Sequence, residues 1–307
     1  MTNIRPLSPA LAEQARKELS ENPKTLASDL EALKQWLAKQ PHIIAKTDDQ
    51  FLTNFLRLCK YSLERTKERL DMYFALRTVA PEFFTARDTT GQEFTEMYNL
   101  GSMIPLPKTQ PDGSRIILTR FQYDPHKKHL RDFMSIAITL SDYILHNDDQ
   151  AIICGETILV DVSGLTLHHI AQATPTLLQK VGDTVKEAYP SRHKGIHFIK
   201  PPTGFETIFK MFQSFLSEKL TKRLFVHGSL DSLHQHVSKS VLPAEYGGEL
   251  GPLKSILDNY YKGIESSRQW LLDDMKYRTD ESKRKGPPKY KETQYGVDGS
   301  FRKLEVD

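Results

Sequence analysis

Residues 189–227 read YPSRHKGIHFIKPPTGFETIFKMFQSFLSEKLTKRLFVH, a stretch in which short apolar runs flank a longer amphipathic segment. The runs at residues 195–199 and 224–227 predict strands, because short and nearly continuous apolar runs suit strands that are covered on both faces. Between them, a Pro-Pro pair and a capping box start a helix that we expect over about residues 205–222. Strand, helix and strand in this order predict a βαβ unit and a parallel sheet.

The same alternation continues on the N-terminal side of this stretch. Residues 115–121 and 157–162 predict two further strands. Residues 130–145 predict a helix that is apolar on most sides and therefore buried, and residues 176–188 predict another helix. We interpret the prolines at positions 105–111 as turn signals ahead of the first strand. The fold class that follows is α/β.

The first 80 residues predict a set of short helices. Leucines recur at spacings of four, three and four from Leu26 to Leu37, which is one stripe of an amphipathic helix. Short helices joined by short loops predict a small helical bundle. We therefore divide the chain into a helical N-terminal domain (residues 1–90), an α/β domain (residues 91–250) and a C-terminal helix with a basic tail (residues 251–307).

The positive charge of the chain is concentrated towards its C-terminal end. The net charge is +3, and from Lys276 onward nine Lys/Arg face six Asp/Glu, which leaves 33 of each sign in the first 275 residues. A neutral body argues against nucleic-acid binding through a broad basic face. The last 30 residues are weakly apolar, and two interpretations stay open: a loosely ordered tail, or a segment that Tyr295 and Phe301 dock onto the body.

Composition and the cysteine count exclude several classes of protein. Hydrophobic residues make up 38% and charged residues 26% of the chain, and no apolar run approaches the roughly 20 residues of a membrane span. The N-terminus has no signal-peptide pattern, so we expect a cytoplasmic protein. The two cysteines, Cys59 and Cys154, provide neither a disulfide framework nor a zinc site, and Cys59 lies on the apolar face of a predicted helix.

Motifs for catalysis or metal binding are missing from the sequence. It contains neither of the glycine loops that cradle phosphates and no G-x-S-x-G hydrolase motif. Asp161 ends a predicted strand, where it can be a catalytic group or, as we favour, a turn residue. The histidine pairs at 168–169 and 234–236 have no further ligand at zinc-site spacing. We therefore expect no catalytic residues, no metal and no cofactor.

The predicted helix over residues 205–222 has an unusual distribution of charge. On one continuous helix, four phenylalanines would share a single apolar arc, and Lys219 and Arg223 would extend that arc at its C-terminal end. Residues 186–223 also carry eight Lys/Arg against three acidic residues. Two interpretations are open: the helix packs permanently on the sheet while its cations reach solvent, or it is a lid whose cations meet anionic headgroups.

Several ordered motifs resemble one known family, the CRAL-TRIO lipid-binding proteins. They are the stretch 189–202, the FLSEKL run at 215–220, the VHG strand end at 226–228, the LPAEYGG run at 242–248 and the N-terminal motif at 48–57. The resemblance spans roughly residues 25–250 and is strongest to the branch formed by the α-tocopherol transfer protein and the cellular retinaldehyde-binding protein. It implies a helical N-terminal domain and a small mixed sheet that floors an apolar cavity under a gate helix.

The resemblance also assigns roles to residues of this chain. It implies phosphoinositide binding by Arg192, Lys194, Lys219 and Arg223, all of which are basic here. It implies a lipid pocket lined by Phe133, Ala137, Ser141, Val160, Val181, Tyr189, Ile196, Phe205, Ile208, Phe209, Phe212 and Leu216. Lys200 replaces the usual Asn, and Gln213-Ser214 replaces a Lys-Pro pair, which favours a straighter gate helix.

The expected function is a monomeric, non-enzymatic carrier of a hydrophobic ligand. The ligand would be a tocopherol, a retinoid or a similar isoprenoid lipid, released during transient contact with phosphoinositide-containing membranes. Two alternatives remain open. One is a phosphatidylinositol/phosphatidylcholine exchange protein with the same fold, and the other is a scaffold with a vestigial pocket.

Overall fold

A five-stranded mixed sheet lies at the centre of the computed structural model. The structure describes residues 2–189, 191–214 and 216–290, and at positions 207, 208, 211 and 212 it describes the backbone alone. The strand order follows the sequence, with the first pair antiparallel and the remaining pairs parallel. The sheet is preceded in the chain by a two-residue strand, β1 (Ile43–Ile44), and comprises β2 (Met103–Thr109), β3 (Arg115–Arg120), β4 (Glu156–Asp161), β5 (His193–Ile199) and β6 (Leu224–His227).

Helices surround the sheet and precede it in the chain. The N-terminal helices and the helices that flank the strands are bounded as follows: α1 (Pro9–Leu19), α2 (Leu26–Ala38), α3 (Asp49–Leu58), α4 (Leu63–Val79), α5 (Gln92–Asn99), α6 (Leu130–Asn147), α7 (Asp149–Cys154), α8 (Leu167–Gln172), α9 (Pro175–Asp183), α10 (Phe205–Ser214), α11 (Glu218–Thr221), α12 (Leu230–His234), α13 (Leu253–Ser266) and α14 (Arg268–Asp274). A π-helical turn, Thr184–Ala188, extends α9. The α/β fold class and the N-terminal helices are confirmed.

The segment that follows α14 packs against the N-terminal helices. Strand β7 (Arg278–Thr279) pairs antiparallel with β1, Arg284 donates two 2.8 Å hydrogen bonds to the Asp71 carboxylate, and the buried Tyr290 donates to the Met72 carbonyl. As far as residue 290, the expectation of a loose tail is therefore wrong. Residues 291–307, with the proposed docking residues Tyr295 and Phe301, lie outside the described part of the chain.

Two sequence-based expectations about secondary structure are also wrong. Pro105 and Pro107 lie inside β2 rather than in a turn, which is tolerated because β2 is an edge strand and a missing N–H there costs no ladder hydrogen bond. The helix expected over residues 205–222 is two helices, because extended backbone at Ser217 and its side-chain cap on the Leu220 N–H start α11 afresh. Lys219 and Arg223 therefore do not continue the apolar arc of α10.

Part of the N-terminal helical region is held to the α/β core by buried charges. Asp142 of α6 accepts hydrogen bonds from Arg77 at 3.2 Å, from Arg87 at 2.6 Å and from the Tyr73 hydroxyl at 2.8 Å. Arg77 also donates to Asp274 at 2.9 Å, and all these side chains are buried. Burying any one of these charges without its partners carries a large desolvation penalty, so the network stabilises the fold only while every partner is present.

We expect Asp142→Asn to lower the free energy of unfolding by about 3–5 kcal/mol, because two buried guanidinium groups would lose an ionised partner. Asp258→Asn is the control, since Asp258 pairs with Lys254 on the exposed face of α13 and the substitution should change stability by less than about 0.5 kcal/mol. Urea denaturation measures both variants. Equal, small effects would contradict the role given to this network.

Candidate functional site: an apolar cavity and an adjoining basic groove

A cavity of about 360 Å³ lies on one face of the sheet. Its floor follows the alternation of the strands: Ile158 and Val160 of β4 and Ile196 and Phe198 of β5 point into it. Leu159, between two of these positions, is buried in the main hydrophobic core on the opposite side. The continuous apolar run of β4 therefore serves two surfaces, a packed core and a cavity wall.

Helices α6 and α9 and the segment after α9 contribute much of the remaining cavity wall. Phe133, Ala137 and Ser141 of α6 face it, and Phe133 stacks on Phe121 with 4.6 Å between ring centroids. Val181 of α9 and Tyr189, just after the π-helical turn, complete this side. The Ser141 hydroxyl donates to the Ala137 carbonyl at 2.8 Å, so its oxygen keeps a free acceptor position towards the cavity.

Helix α10 closes the cavity at the C-terminal ends of the strands. Phe205 and Phe209 line it, and their ring centroids lie 5.6 Å and 5.4 Å from that of Phe198. Before α10, Lys200 and Gly204 adopt the left-handed conformation with φ of 53° and 84°. A positive φ is free of steric strain only for glycine. The backbone that leads into α10 is therefore irregular at two positions within five residues.

One end of the cavity is polar. Glu156 and His193, the first residues of β4 and β5, face each other in register, and Glu156 Oε2 lies 3.8 Å from His193 Nδ1. A β-bulge puts His193 there: Glu156 pairs with His193 and Thr157 pairs with Gly195, so Lys194 is the extra residue and points away. Sequence reasoning missed this pair, because the bulge is not visible in a period-two pattern.

Burial shifts the pKa values of both members of this pair. It raises the pKa of Glu156 to about 7, with a smaller contribution from the Asp148 carboxylate. Burial, with a smaller contribution from the Arg223 guanidinium, lowers the pKa of His193 to about 4. Near neutral pH the imidazole is therefore uncharged and the carboxyl group is partly protonated.

A basic groove adjoins the polar end of the cavity, and the two share Ser191, Arg192 and His193 as lining residues. Eight cationic side chains and, among the described lining residues, a single acid surround the groove: Lys60, Arg65, Arg69, Lys186, Arg192, Lys194, Lys219, Arg223 and Glu187. The four predicted phosphoinositide residues are brought together here. Sequence reasoning missed the α4 residues Arg65 and Arg69, whose i,i+4 spacing places them on one helix face.

Two of these cations share a carboxylate partner on α1, and Arg69 and Lys186 lie near Glu187. Arg192 lies 2.6 Å and Lys194 lies 4.0 Å from Glu18 of α1. The Arg192 hydrogen bond, together with other nearby donors and charges, outweighs burial and lowers the pKa of Glu18. Arg192 also donates to the Ile153 carbonyl, and Arg223 donates to the His193 carbonyl. Lys219 on α11 is exposed.

The predicted pocket residues fall into three groups. Nine line the cavity: Phe133, Ala137, Ser141, Val160, Val181, Tyr189, Ile196, Phe205 and Phe209. Leu216 lines the basic groove instead, because the backbone leaves the axis of α10 before it. The side chains of Ile208 and Phe212 lie outside what the structure describes.

Asp161 has a structural role at the end of β4. It accepts hydrogen bonds from the Ser163 N–H at 3.0 Å and from the Tyr246 hydroxyl at 2.9 Å. Within residues 2–189, 191–214 and 216–290, no group of three or more His, Cys, Asp or Glu side chains is arranged to bind a metal ion. No helix in these ranges has the length and apolar composition to cross a bilayer.

Comparisons with known proteins agree on the class of fold and site. The model of the CRAL/TRIO domain matches residues 100–248, and that of the Pinta-like UBA domain matches residues 22–94. The alpha-tocopherol transfer protein-like protein of Mus musculus is 32% identical over 251 residues, which cover 80% of this chain and 72% of that protein. Clavesin-2 of Homo sapiens is 30% identical over 283 residues, which cover 89% and 83%.

A solved structure supports the fold independently. The crystal structure of Sfh5 matches 88% of this chain and 100% of its own with a TM-score of 0.56, although only 14% of the residues are identical. A concave and mostly apolar cavity with a few polar groups is typical of small-molecule binding sites. The chain belongs to the CRAL-TRIO family, as its motifs predicted.

We expect Glu18→Gln to strengthen binding to anionic vesicles severalfold, because the substitution frees Arg192 and Lys194 from an internal carboxylate that competes with external anions. Vesicle co-sedimentation at fixed salt measures the effect. Glu13→Gln on the same helix is the control, because Glu13 pairs with Arg16 and Lys17 of α1 and does not line the groove. Unchanged binding by Glu18→Gln would contradict the competition.

Proposed function

We propose that this protein is an intracellular carrier that encloses a hydrophobic lipid and releases it at membranes. The single observation that supports this most strongly is a lipid-sized apolar cavity closed at one end by the phenylalanines of α10. A ligand that fills such a cavity gains roughly 0.8 kcal/mol for each buried CH₂ group. The relatives named for tocopherol transfer favour a tocopherol, a retinoid or a similar isoprenoid lipid as cargo.

In this proposal α10 is the gate. The left-handed residues Lys200 and Gly204 lie at its N-terminal side, and the backbone breaks again before Ser217. A helix bounded on both sides by irregular backbone can move as a unit without disturbing the sheet. The floor residues on β4 and β5 stay fixed, because their opposite face belongs to the packed core.

The basic groove is the proposed trigger for release. Arg192, Lys194, Lys219 and Arg223 would bind a phosphoinositide headgroup, with Arg65 and Arg69 extending the positive surface. Each phosphate–guanidinium contact is a charge-assisted hydrogen bond. A headgroup that binds more tightly when α10 is open shifts the protein towards the open state, because a ligand stabilises the state that it prefers.

We expect Ala137→Trp to abolish transfer of a fluorescent tocopherol analogue between vesicles, because the indole would occupy the cavity. The protein should stay folded, since Ala137 faces an open space rather than a packed contact. Far-UV circular dichroism and a stopped-flow transfer assay measure the two properties. Full transfer by a correctly folded variant would contradict the proposed cargo site.

We expect the double substitution Lys219→Ala/Arg223→Ala to leave ligand binding intact and to remove the stimulation of transfer by phosphoinositide in the acceptor vesicles. The control replaces Lys254 and Lys262 of α13, two lysines that do not line the groove, with alanine. Equal stimulation of the groove variant and the control would contradict the trigger.

A further inference from the structure

The polar end of the cavity lies opposite the gate end. Glu156 and His193 are the first residues of their strands, whereas Phe205 and Phe209 contact Phe198 near the end of β5. From Glu156 to Val162 the chain advances about 20 Å at 3.3 Å per residue. A long ligand that enters past α10 therefore passes a mostly apolar lining, with Ser141 among its few polar side chains, before its far tip reaches Glu156 and His193.

This pair has unused hydrogen-bonding capacity. His193 Nδ1 is buried and has no hydrogen-bond partner among the described residues. The other ring nitrogen, Nε2, lies 2.7 Å from the Ser191 hydroxyl. The distance of 3.8 Å between Nδ1 and Glu156 Oε2 is too long for a direct hydrogen bond. Buried polar atoms without partners are costly, so their presence in an otherwise apolar cavity points to a ligand that supplies the missing bond.

We propose that Glu156 and His193 bind a terminal hydroxyl group of the cargo, which makes the ligand an uncharged lipid alcohol; this inference rests on the proposed carrier function. One oxygen atom can lie about 2.8 Å from both Oε2 and Nδ1 when these two atoms are 3.8 Å apart. With the Ser191 hydroxyl donating to Nε2, the imidazole carries its proton on Nδ1 and donates it to the ligand oxygen. The ligand hydroxyl then donates to the Glu156 carboxyl group.

The charges around the pair disfavour an anionic head. Asp148 already raises the pKa of Glu156, and Glu18 lies near the same end of the cavity, against Arg192 and Lys194. The guanidinium of Arg192, which lines both the cavity and the groove, is already bound to Glu18 and to the Ile153 carbonyl. A phosphate or carboxylate beside Glu156 would place like charges together, and Arg192, the cation that lines this end of the cavity, already has a carboxylate partner. This arrangement favours an alcohol over a phospholipid or a fatty acid.

The order Ser191, His193, Glu156 resembles a hydrolase triad, but its electrostatics do not suit catalysis. A catalytic imidazole accepts a proton readily and is oriented by an ionised carboxylate that it contacts. Here burial lowers the pKa of His193 to about 4 and raises that of Glu156 to about 7. Both shifts oppose proton transfer from Ser191, whereas neutral groups suit the binding of a neutral hydroxyl.

The test compares three probes of equal chain length: dodecan-1-ol, dodecane and dodecanoate. Their affinities for the full-length protein are measured at pH 8 by displacement of a fluorescent apolar dye. We expect the wild type to bind the alcohol at least about tenfold more tightly than the alkane, which is the value of one buried hydrogen bond. Glu156→Leu and His193→Leu should remove this preference, and Thr157→Val, which faces the other side of β4, should keep it.

Glu156→Gln is a further variant that tests the charge of Glu156, since it preserves the size and hydrogen bonding of the side chain and removes only the charge. We expect it to bind dodecanoate about tenfold more tightly than the wild type does, because a like charge is gone, and to keep its affinity for dodecane. Equal binding of alcohol and alkane by the wild type, or an alcohol preference that survives Glu156→Leu, would overturn the hydroxyl assignment and leave the carrier function standing. Failure of the wild type to bind any probe would overturn both.

Discussion

The cavity and the fold both depend on central strands whose two faces have different surroundings: one face packs in the hydrophobic core and the other lines the cavity. In β4, Leu159 belongs to the main core while Ile158 and Val160 face an open space. A wall that borders a void forfeits the dispersion contacts that packed neighbours would provide. The sheet can tolerate that loss because its other face is close-packed. A ligand in the cavity would restore the missing contacts, so binding and stability are coupled.

The walls of the cavity differ in how firmly they are attached. Tyr189 lines the cavity, and its hydroxyl donates at 2.8 Å to Asp142, the centre of the buried charge network with Arg77 and Arg87. That wall is therefore tied to the N-terminal helices. The opposite end is closed by α10, whose described side chains Phe205 and Phe209 belong to a small separate hydrophobic cluster. A fixed floor with one lightly attached helix is what a gated container requires.

Much of the fold could be predicted from the sequence, because periodicity and caps determine where elements lie. The bounds of β6 agree with the predicted range to the residue. The predictions that were wrong concerned positions where a single residue or the position of a strand in the sheet decides the local structure. Ser217 caps a new helix and so separates Lys219 from the phenylalanines, and an edge position lets β2 contain prolines.

The candidate site divides in the same way. The apolar lining of the cavity could be predicted, because it follows from the alternation of residues along strands and from the apolar faces of helices. The four predicted cations of the groove followed from the resemblance to the family. Arg65 and Arg69 could have been suspected from their spacing, but only the packing of α4 against the π-helical turn after α9 brings them to the groove. The Glu156–His193 pair could not have been predicted, because it depends on the bulge at Lys194. It also depends on the close approach of the two strands at Gly155, where a Cβ atom would lie 2.5 Å from the Arg192 carbonyl oxygen.

Native mass spectrometry of the protein purified from cells that express it tests the central claim most directly. We expect a non-covalent one-to-one complex whose extra mass, on dissociation and extraction, belongs to a neutral lipid with a single hydroxyl group. Protein that carries no lipid under gentle ionisation, although it is folded, would contradict the existence of an occupied cavity. A bound phospholipid would contradict the assignment of the polar end and favour the exchange-protein alternative.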